Sequence, residues 1–130
     1  MVVENSQSYS NEGTDVFIKV LKSKIHRATV TETNLDYVGS ITVAADLMEA
    51  VGLREYERVL VANLNNGTRH ETYVQVGKPR SGVICMNGAA ARLACVGDRL
   101  IIMGFGYYES EESIPKPRVI TLNEKNQIAR

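Results

Sequence analysis

A glycine followed by a serine stands inside a run that otherwise reads as strand, "DYVGSITV" at residues 36–43. A serine hydroxyl is a weak nucleophile and acts only with help from geometry and neighbouring groups. Placed after glycine, the Ser40 Oγ can attack the carbonyl of its own preceding residue. Gly39 has no Cβ to block the approach, and it tolerates a strained backbone angle. The plainer reading of the pair is a β-bulge or tight turn, which glycine often marks within a strand.

Three further groups could surround such a site. Lys24 and His26 stand two apart in "KSKIHR", which puts both on one face of a strand. They form either a solvated polar face or a cationic wall for a carboxylated ligand. In "NNGTRHETY", Arg69 offers a carboxylate a bidentate fork, and Tyr73 offers a phenolic proton donor. The plainer alternative is an exposed arginine beside a turn and an amphipathic barrel tyrosine. In "MNGAAAR", Asn87 supplies an amide, while Gly88, Ala89 and Ala90 would let a ligand approach the backbone closely. If a helix starts there, its free N–H groups suit an anion. An ordinary capped helix would use the same residues.

The elements that must position these groups are mostly strands. "VFIKVLKSKIHRATVTE" (16–32) is β-branched and partly alternating, and predicts a strand. "AADLMEAVGL" predicts a short helix capped by Asp46, with an apolar face of Leu47, Met48, Ala50 and Val51, closed by Gly52. "ERVLVANLNNGTRHETYVQV" predicts two strands around an Asn-Gly turn. "SGVICM", "DRLIIMGF" and "PRVITLN" predict further strands, and "NGAAARLA" a turn or two of helix with Asn87 at its cap. An acidic loop, "YYESEESIPKP", separates the last two strands. Residues 1–15 read as a polar, disordered leader, 16–123 as one domain, and 124–130 as a loose tail. Several strands in so short a chain predict a mainly β fold with short helices, a closed or nearly closed barrel.

With 130 residues, 44% of them hydrophobic, the chain can bury a real core. A formal net charge of zero argues against a nucleic-acid binder that works by neutralising phosphates. No apolar run has the length of a membrane span, and the polar N-terminus lacks the pattern of a secretory signal, so a cytoplasmic protein is expected. Cys85 and Cys95 form no C-x-x-C pair and read as buried small hydrophobes, and with only two histidines beside them no metal site is expected.

Taken in order, "KSKIHRATVTETNLDYVGS", "NNGTRHETY" and "NGAAAR…VGD" closely resemble the pyruvoyl-dependent aspartate 1-decarboxylases. The resemblance runs from about Val16 to near Leu122 and rests on several motifs with their spacing. It implies a double-psi β-barrel, assembled as a homotetramer with active sites between subunits, and a chain made as an inactive precursor. Ser40 would attack the Gly39 carbonyl to give an ester. Elimination and hydrolysis would then release ammonia and leave a pyruvoyl group at position 40. The implied activity is decarboxylation of L-aspartate to β-alanine and CO2, feeding pantothenate and coenzyme A synthesis. The substrate amine would form a Schiff base with the pyruvoyl ketone, which delocalises the charge left at Cα.

By the same resemblance, Tyr73 reprotonates that carbon and Arg69 binds a substrate carboxylate with Lys24 nearby. Thr72 would help to polarise the Gly39 carbonyl during processing. Asn87 and the backbone of Gly88, Ala89 and Ala90 would contact substrate, and His26 and Tyr37 would line the site. Some relatives are matured by an accessory protein, which adds a candidate partner. The chain departs from the pattern in its longer N-terminus and in Ala62, where some members carry an aromatic residue. The competing reading is a non-catalytic β-barrel module that binds a carboxylated ligand through Arg69 and Lys24. Self-cleavage after Gly39 separates the two, since a binding module has no reason to cut itself.

Overall fold

A computed structural model describes residues 16–129, with the Gly39–Ser40 peptide intact; the expected leader, 1–15, and Arg130 lie outside the described residues. The strands are β1 (Phe17–Thr29), β2 (Glu32–Asn34), β3 (Ser40–Ala44), β4 (Arg58–Asn63), β5 (Arg69–Gly77), β6 (Ile84–Asn87), β7 (Arg99–Glu109) and β8 (Arg118–Thr121). Helix α1 (Ala45–Val51) follows β3 directly, and a 3₁₀ helix (Gly88–Leu93) follows β6. The fold is mainly β, as expected. All eight strands join one hydrogen-bonded order, β2-β6-β3-β5-β4-β7-β1-β8. The ladder is open between β2 and β8 and otherwise agrees with a β-barrel.

Alternation decides which side chains turn inward. Ile41 and Val43 of β3, Val59 and Val61 of β4, Ile84 and Met86 of β6, and Leu100 and Ile102 of β7 are all essentially inaccessible to solvent. Each such side chain contributes about 1.5–3 kcal/mol by leaving water. Helix α1 adds Leu47, Met48 and Val51 to the same core. Gly52 ends it in the left-handed region at φ 75°, as its position predicts. Its last carbonyls are met by Lys22 Nζ on Gly52 O, Ser23 Oγ on Val51 O and Arg118 Nη2 on Glu49 O.

The structure corrects four expectations. Asp46 does not cap α1: the cap position is Ala44, and Asp46 Oδ1 instead accepts the Arg80 backbone N–H at 2.7 Å. Residues 16–32 do not make one strand, because the chain turns at Val30–Thr31 and β2 leaves to pair with β6. The tail is not loose. Asn126 is buried, donates to Thr29 O and Gly82 O and accepts from Thr29 N, all at 2.8 Å. Leu122 bridges to Ile128 beyond it, so residues 123–129 fold back as a closing turn. Of the two cysteines, Cys85 is buried but Cys95 is exposed.

Candidate active site

Three strands build the site through one repeated pattern. In β3, Ser40 and Thr42 alternate with the core residues Ile41 and Val43; in β6, Cys85 and Asn87 alternate with Ile84 and Met86. Pairing β3 antiparallel to β6 sets Ser40 opposite Asn87 and Thr42 opposite Cys85. Pairing β3 parallel to β5 sets Thr42 beside Gln75. The side chains opposite the core therefore form a polar cluster of Ser40, Thr42, Gln75, Cys85 and Asn87.

That cluster is tightly bonded. Asn87 Nδ2 donates to Ser40 Oγ and to Thr42 Oγ1, each at 3.0 Å. Asn87 Oδ1 accepts from Cys85 Sγ at 3.1 Å. Burial, then the Glu32 carboxylate by its charge and as a hydrogen-bond acceptor, pushes the Cys85 thiol up to about 11. The Ser40 hydroxyl has acceptors in Gln75 Oε1 at 3.2 Å and Val38 O at 3.3 Å. Ser40 itself is fully buried.

A cavity of about 900 Å³ opens against this cluster. Of the residues singled out in the sequence, Gly39, Ser40, Thr72, Tyr73, Asn87, Ala89 and Ala90 line it. Gly88 sits behind the wall in a different role from the one expected. Its φ is +71°, and a Cβ there would stand 2.6 Å from Gly39 Cα and 2.8 Å from Gly39 N. A missing side chain here makes room for the Gly39–Ser40 backbone, and Gly88 itself is buried. Asn87 holds the cap position of the 3₁₀ helix, but its side chain makes no cap bond. Thr72 and Gly39 share the wall with no direct hydrogen bond between them among the described residues.

Besides Gly88, four predicted site residues stay outside the cavity lining. Arg69, Ala62, Ile101 and His26 form one row across β5, β4, β7 and β1, and Leu60, Met103 and Lys24 form the next. Lys24, His26 and Arg69 thus share one outer face of the sheet. Arg69 and Tyr73 lie on the same face of β5 but about 13 Å apart along the strand. Burial, then the charges of Lys24 and Arg27, hold His26 below the ordinary histidine range. The Tyr37 side chain is exposed, and what Tyr37 gives the site is backbone, with its carbonyl oxygen beside Gly88.

Residues not anticipated from sequence complete the lining: Tyr56, Arg58, His70, Glu71 and Leu93. Tyr56 holds a left-handed φ of 70°, rare for a bulky side chain, pinned by its N–H on Val74 O at 2.8 Å. Its ring lies 6.2 Å from that of Tyr73 at 46°. Arg58 Nε pairs with Glu71 Oε1 at 2.6 Å, and burial holds the His70 imidazole below its ordinary range. Among the described residues lining the cavity, the one permanent cation is therefore already committed to a carboxylate.

The comparisons with known proteins bear on this arrangement. A family model described as aspartate decarboxylase matches residues 16–129. The chain belongs to the aspartate decarboxylase family. An aspartate 1-decarboxylase of Caldicellulosiruptor bescii is 57% identical over 116 residues, covering 88% of this chain and 91% of the relative. That of Acetivibrio thermocellus is 56% identical over 114 residues, 87% and 90% of the two chains. That of Lactiplantibacillus plantarum is 53% identical over 116 residues, 88% and 89%. The matched span contains every member of the polar cluster and every lining residue of the cavity. No helix among the described residues is long and apolar enough to cross a membrane.

Proposed function

We propose that this chain is a self-processing aspartate 1-decarboxylase that converts L-aspartate to β-alanine and CO2, the step that supplies pantothenate synthesis, in the cytoplasm. The observation that carries the reading is Ser40 itself. It is a fully buried hydroxyl held between Asn87 and Gln75, joined to the glycine that Gly88 leaves room for, on the wall of a cavity that also holds Tyr73. These residues fit a pyruvoyl group made from Ser40: the hydroxyl, its hydrogen-bond partners and a preceding glycine without a Cβ to block the approach are all present. Once formed, that group supplies an electron sink for the charge left at Cα when CO2 departs.

The chain's own residues do the remaining work. Thr72 faces the same space as Gly39, where a hydroxyl can stabilise charge on the carbonyl oxygen during cleavage. Tyr73, braced by the Tyr56 ring, holds the proton that is returned to Cα. Asn87, Ala89 and Ala90 form the floor against which substrate lies. Aspartate brings two carboxylates, yet Arg58 is paired with Glu71 and His70 is held neutral. Lys24 and Arg69 of a second copy, with His26 beside them, would supply the missing cations, in keeping with the homotetramer that the family resemblance implies.

The test is production of β-alanine from L-aspartate by the purified protein, before and after incubation with host lysate to supply any accessory maturation protein. Stoichiometric β-alanine and CO2 are expected. A protein that binds aspartate without consuming it, in either condition, would leave the binding-module reading.

A further inference from the structure

We infer that Gln75 is a positioning residue for self-cleavage, accepting the hydrogen bond of the Ser40 hydroxyl and so fixing which lone pair attacks Gly39. The inference rests on the self-processing reading above. Asn87 has its two amide hydrogens on Ser40 Oγ and Thr42 Oγ1, and its oxygen takes the Cys85 thiol. Its orientation is thereby set, and Ser40 Oγ must accept from it. The hydroxyl's single proton then has to point elsewhere. Gln75 Oε1 at 3.2 Å is the side-chain acceptor there, with the Val38 carbonyl at 3.3 Å as the alternative. With one lone pair on Asn87 and the proton on Gln75, the second lone pair of Oγ is the free one.

A neutral carboxamide is no base, so Gln75 orients the hydroxyl and does not deprotonate it. The step it prepares forms an Oγ–C bond to the Gly39 carbonyl carbon and breaks the Gly39–Ser40 C–N bond. The hydroxyl proton ends on the released nitrogen. Elimination then breaks Cβ–Oγ with loss of the Cα proton, Gly39 leaves as a carboxylate, and water replaces nitrogen at Cα with release of ammonia. Gln75 acts before this sequence, in the uncleaved chain. It is a half-buried residue beside Thr42 on the parallel β3–β5 ladder.

The test follows the intact mass of freshly made wild-type, Gln75→Leu and Gln75→Glu chains over time, across pH, with and without host lysate. Loss of one hydrogen bond predicts cleavage about three- to tenfold slower in Gln75→Leu. Gln75→Glu restores an acceptor, so it should cleave at least as fast as wild type near neutrality. Its rate should then fall on acidification as the carboxylate takes up a proton, while the wild-type rate does not follow that titration. Equal cleavage rates in wild type and Gln75→Leu would overturn the inference. If Gln75→Leu does not fold, a Gln75→Glu profile that tracks wild type at every pH would overturn it equally. A wild-type chain that stays whole with lysate overturns the self-processing reading and the inference with it.

Discussion

A buried hydroxyl left without partners costs roughly 1–3 kcal/mol, and a buried carboxamide as much. Ser40 and Asn87 avoid that cost by bonding each other, with Thr42, Gln75 and Cys85 taking up the remaining donors and acceptors. The network holds the Ser40 hydroxyl among neutral partners, Asn87, Gln75 and the Val38 carbonyl. Ser40→Ala removes the nucleophile and leaves the scaffold, so the variant should stay full-length and form no β-alanine; normal activity in it would remove Ser40 from the chemistry. Tyr73→Phe keeps the ring against Tyr56 and loses only the phenolic proton. It should be cleaved like wild type, with turnover down about 10²–10⁴-fold, the range for one proton-transfer group. Steady-state rates normalised to the cleaved fraction decide this.

At the scale of elements, the close approach of the 3₁₀ helix to the segment before β3 is the feature most sensitive to a single methyl group. Gly88→Ala places a Cβ against backbone atoms of Gly39 that cannot yield as a side chain end would. The left-handed φ adds about 1–2 kcal/mol for any residue but glycine. Introduced into the Ser40→Ala chain, Gly88→Ala should lower stability by at least that amount in denaturant unfolding; in the otherwise natural chain it should slow cleavage. The sequence reading reached Gly88 for another reason, as a small residue under a ligand. It reached Ser40, Tyr73 and Asn87 from their residue types, and the motif resemblance added their roles and that of Thr72. Gln75 went unread, and Cys85 was read only as a buried small hydrophobe, because their place in the cluster depends on which strands pair. Alternation in "SITVA" and "ICMN" shows that Ser40 shares a face with Thr42 and Cys85 with Asn87, but only the β3–β6 and β3–β5 registers bring them together. The tail failed for a similar reason: the bonds that fix Asn126 are made to Thr29 and Gly82, far away in sequence. Turns and closures carried by local chemistry, such as Gly52 after α1 and Gly67 at φ 77° between β4 and β5, were legible directly.

For the whole molecule, two properties follow from what one copy lacks and from what it buries. Lys24 and Arg69, the cations proposed to hold aspartate, sit on the outer β4–β7–β1 face and its β5 neighbour, outside the lining of the Ser40 cavity. Chains carrying Arg69→Ala and chains carrying Ser40→Ala should each be inactive alone. Mixed before assembly, they should regain activity, since by random assortment roughly a quarter of the sites would combine both intact halves. Continued inactivity of the mixture would place each site within one chain. The second property is acid sensitivity. Burial holds both His70 and His26 below the ordinary value of 6.5. The unfolded chain therefore binds more protons than the folded one once pH falls below about 6.5, so this contribution is fully present above that value and declines below it. The thermal midpoint of the uncleaved Ser40→Ala protein should drop on acidification through that range, and His70→Leu should make the drop shallower. An unchanged slope would remove His70 from the effect.

The central claim is that the protein makes its own catalytic group at position 40, and the intact mass of freshly purified protein under denaturing conditions tests it most directly. The account predicts two fragments that divide between Gly39 and Ser40, the larger with a carbonyl in place of its N-terminal amine. A single full-length mass in a preparation that converts aspartate to β-alanine would contradict it.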